Sequence, residues 1–169
     1  MLCALDKKEK SRYSVYTRLV EVIILKEWTG QAHSLLTDCH FFNLRRAMLT
    51  VTALYDRHMK DTNITAQQFS ILRHIHNGGP LSVTELSDRI GVERTTMSRN
   101  IVLLERRGYM SEQPSCGRQR QMVLTADGER IYEQALFGWK NAQKELEERL
   151  GPGRMELLEE LLNELLAAE

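Results

Sequence analysis

The chain has 169 residues and equal numbers of basic and acidic side chains, 23 of each, so its formal net charge is zero. This length is enough for one domain with its own core, or for one domain with an added subdomain. The three cysteines are odd in number and include no CxxC pair, which argues against a disulfide framework and favours a reducing cytoplasm. No stretch approaches the roughly 20 apolar residues that span a bilayer, and the N-terminus lacks the features of a secretory signal. We therefore expect a cytoplasmic protein with no membrane partner.

The charges are unevenly distributed along the chain. Residues 94–124 contain six Arg and two Glu, a net charge of +4, whereas residues 145–169 contain eight Glu and two Arg, a net charge of −6. Affinity for phosphate follows the local potential rather than the total charge. The first segment is therefore a candidate nucleic-acid surface, and we expect the second to be a solvated helix face away from DNA.

Helices are predicted at the start of the chain. Within an N-terminal extension, residues 1–36, the apolar residues of 13–28 recur at helical spacing and predict an amphipathic helix. Its wide apolar stripe must be covered either by the rest of the same chain or by a second subunit. A longer helix is predicted over residues 37–60.

Two capping boxes mark the next helices. Thr65 and Gln68 have the spacing at which the hydroxyl accepts a backbone N–H while the amide reaches back, and they open a helix that stops near residues 77–80. Ser82 and Glu85 form the second box, which opens a short helix that ends at the turn residue Gly91.

A second helix, predicted over residues 94–107, carries the side chains suited to DNA. Met97, Ile101 and Leu104 share one side and should face the core. The other side and its flanks carry Arg and hydroxyl residues that can pair with base edges or phosphates in the major groove: Arg94, Thr95, Thr96, Ser98 and Arg99. The alternative for this helix alone is an ordinary solvated face, but its position after a capped helix and a turn favours recognition.

A hairpin follows this helix. Strands are predicted near residues 109–113 and 120–124, with Gly117 in the turn. Arg118 and Arg120 are two residues apart and so point to the same face of a strand. A thin wing with Arg at its tip can enter a narrow minor groove while a second Arg holds a phosphate. The alternative is a solvated edge strand that is protected by charge.

The C-terminal part is predicted to be helical. Thr125 can cap a long helix whose apolar face includes Ala135, and residues 151–153 are expected to break it. A last helix is predicted over residues 155–167. It has about two leucines per turn, more than one partner surface usually needs, so we interpret it as part of a helical dimer core.

These segments resemble the MarR family of bacterial transcription regulators. VERTTMSRNIVLLERRGYM is similar to the family's recognition helix and its exit, and RQRQMVLTADGE to its wing and the following helix. Further upstream, CHFFNLRRAMLTVTALYDRHM and ITAQQFSILRHI are similar to the first dimerisation helix and the helix after it, so the resemblance covers residues 37–168.

The resemblance implies a mainly α fold in which a winged helix-turn-helix is inserted between helical dimerisation arms. The arms correspond to residues 37–64 and 126–169, and the DNA-binding domain to residues 65–125. It also implies an obligate homodimer on a palindromic DNA operator, with a small-molecule or redox signal. By position, Arg99 matches the recognition-helix arginine and Arg118 the wing-tip arginine.

The chain departs from the family in two places. Cys116 stands where the family usually has an aspartate that braces the wing, so that brace is in doubt. Residues 1–36 exceed the usual N-terminal arm, and they are either an extra dimer element or the result of a coding start placed too early.

Other chemistry is poorly supported by the sequence. Cys39 lies at a helix start, as in some peroxide-sensing relatives, but Asp38 beside it disfavours a thiolate and a small buried hydrophobe is the simpler interpretation. The five histidines form no metal-ligand set, and we find no catalytic residues and expect no cofactor.

The sequence therefore predicts a dimeric, sequence-specific DNA-binding transcription regulator, a repressor, that responds to a small ligand or an oxidant. The alternative is a winged-helix protein-interaction module without DNA binding. The arginines at positions 94, 99, 118 and 120 argue against that alternative, because such a module has no need of them. No group of residues in the sequence supports a function as an enzyme.

Overall fold

The computed structural model describes residues 36–114 and 120–167. The predicted helix over residues 13–28 and the wing-tip residues Cys116, Gly117 and Arg118 lie outside these ranges. The elements are α1 (His40–His58), a 3-10 turn (Lys60–Thr62), α2 (Ala66–Gly78), β1 (Leu81–Ser82), α3 (Val83–Ile90), α4 (Arg94–Arg106), β2 (Met110–Gln113), β3 (Gln121–Leu124), α5 (Ala126–Leu150) and α6 (Pro152–Ala167). The predicted fold class, mainly α with a small β-wing, is confirmed.

The chain divides into two compact units, one ending at Leu54 and the other starting at Tyr55. In the first unit, α1 begins at His40, three residues later than the sequence predicted. Thr37 stays outside the helix because its backbone N–H donates to Asn43 Oδ1 at 3.0 Å and its hydroxyl accepts the N–H of Cys39 at 3.2 Å. Large apolar side chains of α1 are exposed, and Phe41 is 73% accessible.

The core of the second unit forms between α2, α3, α4, the sheet and α5. Phe69 on α2 is buried near its centre, with the Tyr132 ring 5.5 Å and the Trp139 ring 6.0 Å away between centroids. Both of these partner rings belong to α5. Aromatic rings at these separations attract one another in addition to burying apolar area. The remaining buried core residues include Ile71, Leu72, Ile75, Leu86, Met97, Leu104, Met110, Met122 and Ala135.

Both predicted capping boxes are present. The Thr65 hydroxyl accepts the N–H of Gln68 at 3.2 Å, and the Gln68 side chain accepts the N–H of Thr65 at 3.3 Å. Ser82 and Glu85 form the same pair of bonds, at 3.2 and 2.8 Å. The hydrogen bonds from Ser82 lower the pKa of the Glu85 carboxyl. These boxes fix where α2 and α3 begin, because they satisfy N–H groups that a helix leaves unpaired.

The sheet has three strands rather than the two that the sequence predicted. It is antiparallel with the order β1-β3-β2, and Leu81 and Ser82 of β1 pair with Met122 and Gln121 of β3. β1 escaped prediction because two residues are too short to show an alternating pattern.

A tight joint links the end of α4 to the start of α5. The Thr125 hydroxyl donates to Gly108 O at 2.6 Å and accepts the N–H of Gly128 at 3.0 Å, while the Thr125 N–H donates to Tyr109 O at 3.1 Å. Gly128 lies so close to this crossing that a Cβ atom there would be 1.9 Å from Tyr109 O. The backbone approach therefore requires glycine at this position.

The last helix begins earlier than predicted. We expected residues 151–153 to break the chain and a helix from Met155, but α6 begins at Pro152. Proline suits the first turn of a helix because the N–H that it lacks would have no intrahelical partner there. Five leucines of α6 are exposed: Leu157, Leu161, Leu162, Leu165 and Leu166. In the ranges that the structure describes, no helix is both long and apolar enough to cross a membrane.

A charged cluster joins the end of α1 to α5. Glu145 accepts two hydrogen bonds from Arg57, both 2.7 Å long, lies 2.5 Å from His58 Nε2, and also pairs with Arg149. The hydrogen bond from His58, followed by that from Arg57, lowers the pKa of Glu145 to about 2. The ionised carboxylate is thus the form that the fold stabilises.

We expect Gly128→Ala to lower the free energy of unfolding by roughly 1–3 kcal/mol or more, because the added methyl group would overlap a backbone carbonyl. Gly153→Ala in α6 is the control, since its Cβ would meet no atom within 4 Å and alanine favours a helix by up to about 1 kcal/mol. Urea unfolding measures both. Equal urea midpoints for the two variants would show that the joint between α4 and α5 accommodates the methyl group without loss of stability.

The Glu145 cluster predicts a pH dependence. Because the pKa of this carboxyl is lower in the folded chain than its ordinary 4.5, its contribution to stability is present above about pH 4.5 and is lost as the pH falls toward about 2. We expect Glu145→Gln to be less stable than the parent at neutral pH, with a gap that closes over this acid range. A gap of the same size at pH 3 and pH 7 would contradict the assignment.

Candidate nucleic-acid interface

The turn between α3 and α4 has the geometry of a helix-turn-helix. Gly91 ends α3 in the left-handed region, with φ 68° and ψ 35°, and its N–H donates to Ser87 O. The N–H of Val92 donates to the same carbonyl oxygen at 3.1 Å. A left-handed residue at this position reverses the chain without the steric penalty that a side chain would add, so α4 starts only three residues later.

The inner face of α4 is fully packed. Met97, Ile101 and Leu104 are 0%, 4% and 0% accessible, as the helical wheel predicted. Burial of three such side chains fixes the rotation of the helix about its own axis, because turning it would expose them at about 1.5–3 kcal/mol each.

The outer face of α4 brings the predicted recognition residues together. Four of them are exposed, namely Arg94, Thr95, Ser98 and Arg99, and Thr96 is half-buried at the flank. The Ser98 hydroxyl donates to Arg94 O at 2.8 Å. The N-cap residue Glu93 makes no side-chain capping bond, so it does not occupy the first-turn N–H groups, which can bind phosphate.

Two arginines of the positive segment are held by other groups of the chain. Arg107 Nη1 donates to Asn63 O at 2.7 Å. Arg120, at the base of the wing, pairs with Glu112 at 2.6 Å and with Glu105 at 3.5 Å. The two carboxylates that pair with Arg120 are the two already subtracted in the sequence count of +4, so α4 carries more of the positive charge than the described part of the wing does.

The sequence did not point to Asn100, which anchors α4 from its side. Its amide nitrogen donates to Gln67 Oε1 at 3.3 Å and to Thr96 O at 3.0 Å, and its oxygen accepts a 3.5 Å bond from the buried Gln68. This amide cluster is the polar link between α2 and α4. The sequence signal was an asparagine next to the core positions of α4, but its partners on α2 are more than 30 residues away.

The structure places the remaining candidates elsewhere. Cys39 is exposed, so the expectation that it is a small buried hydrophobe is wrong for the single chain. A cavity of about 220 Å³ is lined by Arg73, His74, Asn77, Gly78 and Arg89. The Arg73 guanidinium lies 4.2 Å from the centre of the Trp139 ring. Within residues 36–114 and 120–167, no three His, Cys, Asp or Glu side chains form a group that could hold a metal ion.

Comparison with known proteins identifies relatives of this chain. The model of the MarR family matches residues 62–121. The HTH-type transcriptional regulator FarR of Neisseria gonorrhoeae is 30% identical over 113 residues, which are 66% of this chain and 77% of the relative.

Solved structures of transcription regulators also resemble this chain. The M. tuberculosis transcriptional regulator MosR in complex with DNA is 30% identical, with a TM-score of 0.68 over 78% of this chain and 96% of that one. The transcriptional repressor CouR bound to p-coumaroyl-CoA has a TM-score of 0.72 over 81% of this chain and 98% of its own, but at 22% identity it supports the fold alone.

Asn100→Ala should lower the free energy of unfolding by about 1 kcal/mol or more, because it leaves the amide of the buried Gln68 without a partner. Ser98→Ala is the matched control on the same helix, since its hydroxyl bonds only to the preceding turn, and its effect should stay within about 0.5 kcal/mol. Chemical denaturation measures both. A Ser98→Ala loss as large as that of Asn100→Ala would contradict the anchoring role.

Proposed function

We propose that this chain, which belongs to the MarR family and is a DNA-binding transcription regulator, acts as a homodimer that represses transcription from a palindromic operator. The family consists of transcription regulators, and the chain is not an enzyme. The observation that carries the proposal is the two-sided character of α4, with three buried apolar residues on one face and Arg and hydroxyl side chains exposed on the other. An exposed helix of this kind fits the width of the major groove.

Within this proposal the parts of the interface have different tasks. Arg99 pairs with a guanine, for which a guanidinium offers two parallel hydrogen bonds to O6 and N7. Arg94, Thr95, Thr96 and Ser98 lie around the start of α4 and contact neighbouring bases or phosphates. Arg118, at the predicted wing tip, enters the minor groove, where the potential is most negative.

Exposed apolar surface supports the homodimer. Five leucines of α6 are exposed, and in the first unit α1 exposes Phe41, Leu44 and Met48. A group of large exposed apolar side chains usually marks a surface that binds another molecule rather than one that stays in water. We propose that residues 37–64 and 126–169 form the dimerisation arms and that residues 65–125 form the DNA-binding domain. We place the dimer in the cytoplasm.

A signal is proposed to control DNA binding. A repressor with this fold has been solved with p-coumaroyl-CoA bound, so the fold is able to bind a small molecule, and we propose a small-molecule effector for the present chain. The cavity lined by Arg73, His74 and Arg89 has basic and polar walls and suits an anionic compound. Because Cys39 is exposed, its thiol is accessible, and an oxidant is the second candidate signal.

Selection of duplexes from a random-sequence library by the full chain tests the proposal. We expect an inverted repeat, because the operator mirrors the two-fold symmetry of the dimer, with half-sites about one helical turn apart so that both recognition helices meet the same side of the duplex. Enrichment of no sequence, or binding that is equal for all duplexes, would instead favour the protein-interaction module.

Arg99→Ala should reduce the preference for the selected duplex over random DNA by roughly 1–3 kcal/mol per half-site. Arg106→Ala, an exposed arginine in the last turn of the same helix, is the control and should weaken both duplexes to the same extent. Fluorescence anisotropy with each duplex measures the preference. An Arg99→Ala variant that keeps the parent's preference would remove this residue from base recognition.

A chain truncated after Leu150 lacks α6. It should sediment as a monomer and lose operator binding, because the leucines of α6 are no longer present to pack against a partner subunit. Leu161→Glu tests the same surface in the full chain, and Glu160→Gln is its matched control. Sedimentation velocity at micromolar concentration measures the state of each variant. A monomeric parent would overturn the homodimer.

A further inference from the structure

The inner face of the wing sheet continues beyond the core as charged side chains. Met110, Glu112, Met122 and Leu124 share one face, because Met110 pairs with Leu124 and Glu112 pairs with Met122. Side chains alternate along a strand, so Arg120, two residues before Met122, lies on this face too. The two methionines are buried, whereas Glu112 and Arg120 are exposed at its outer end.

This face is the one that meets the recognition helix. β2 packs against α4, and Glu105 on α4 lies 3.5 Å from Arg120. On the sheet itself, Arg120 Nε donates to Glu112 Oε2 at 2.6 Å. In the extended register these two residues form a diagonal cross-strand pair, which long side chains can bridge. One guanidinium thus contacts both the opposite wing strand and the helix.

The charges around Arg120 favour a structural role for this residue. Its two carboxylate partners give the trio a net charge of −1, so the guanidinium is already compensated before any phosphate approaches. A planar guanidinium holds two acceptors in a fixed geometry. Without Arg120, two carboxylates would face the same region and repel both each other and DNA.

We propose that Arg120 is a positioning residue, which holds the wing against α4 through Glu112 and Glu105 so that both reach the duplex together. This inference rests on the proposed DNA-binding function, and it replaces the phosphate contact that the sequence suggested for Arg120. The two roles agree that losing Arg120 weakens DNA binding. They disagree about losing its carboxylate partners.

Glu112→Gln separates the two roles. If Arg120 binds phosphate, removing a competing carboxylate frees it, and affinity for the selected duplex rises or stays the same. If Arg120 positions the wing, affinity falls although a negative charge has been removed from a DNA-facing surface. The expected loss is about two- to fivefold, the range for an exposed ion pair. Glu105→Gln should act in the same direction, and Glu156→Gln on α6 is the control that leaves affinity unchanged.

The double variant and the salt dependence give independent readouts. Glu112→Gln together with Arg120→Gln should bind no more weakly than Arg120→Gln alone, because both remove the same contact. The slope of log Kd against log salt should be unchanged in Arg120→Gln, whereas loss of a phosphate contact lowers it by about one counterion per chain. Additive effects, or a lowered slope, would overturn the proposal.

A measurement without DNA keeps this proposal distinct from the proposed function. Amide hydrogen exchange in β2 and β3 should be about two- to fivefold faster in Glu112→Gln than in the parent, with exchange in α5 unchanged. Unchanged exchange in the wing strands would overturn the brace even if the parent binds DNA. A parent that selects no duplex would overturn the proposed function, while the exchange measurement would still decide the brace.

Discussion

The interface depends on the burial of one face of α4. Met97, Ile101 and Leu104 fill the core, and this packing decides which side chains the helix shows to the outside. A recognition helix must present its polar residues in a fixed rotation, since a turn by one residue would replace Arg99 with Asn100. Apolar packing inside the domain thereby sets the chemistry outside it, and the capped starts of α2 and α3 set where the packing partners lie.

Polar contacts refine what apolar packing leaves free. The Asn100 amide cluster fixes α4 against α2, the Thr125 and Gly128 joint fixes its far end against α5, and the proposed Arg120 brace adds the wing. Two of these contacts involve α4 itself, through Asn100 and Glu105, and the joint lies just beyond its end, at Gly108 and Tyr109. Besides the stability that they contribute, these contacts fix the orientation of the elements that they join.

Much of this fold could be predicted from local patterns. Both capping boxes, the buried side of α4, the two main wing strands and the N-cap of α5 are encoded by residues within a few positions of one another. The sequence did not predict β1, Asn100 or the close approach at Gly128, because each depends on a partner distant in the chain. The start of α6 was placed too late since Gly-Pro-Gly was interpreted as a break, although proline suits a first helical turn. For the same reason, the sequence did not predict the contacts of Arg120, because no local pattern indicates its partner on α4.

Chemical interference on the selected duplex can show whether the outer face of α4 contacts bases in the major groove. Dimethyl sulfate methylates guanine N7 in the major groove and adenine N3 in the minor groove, and only the first lies where α4 is proposed to bind. If α4 binds in this way, methylated guanines will block binding at positions related by two-fold symmetry in the two half-sites. Interference confined to adenines, or absent from guanines in both half-sites, would contradict it.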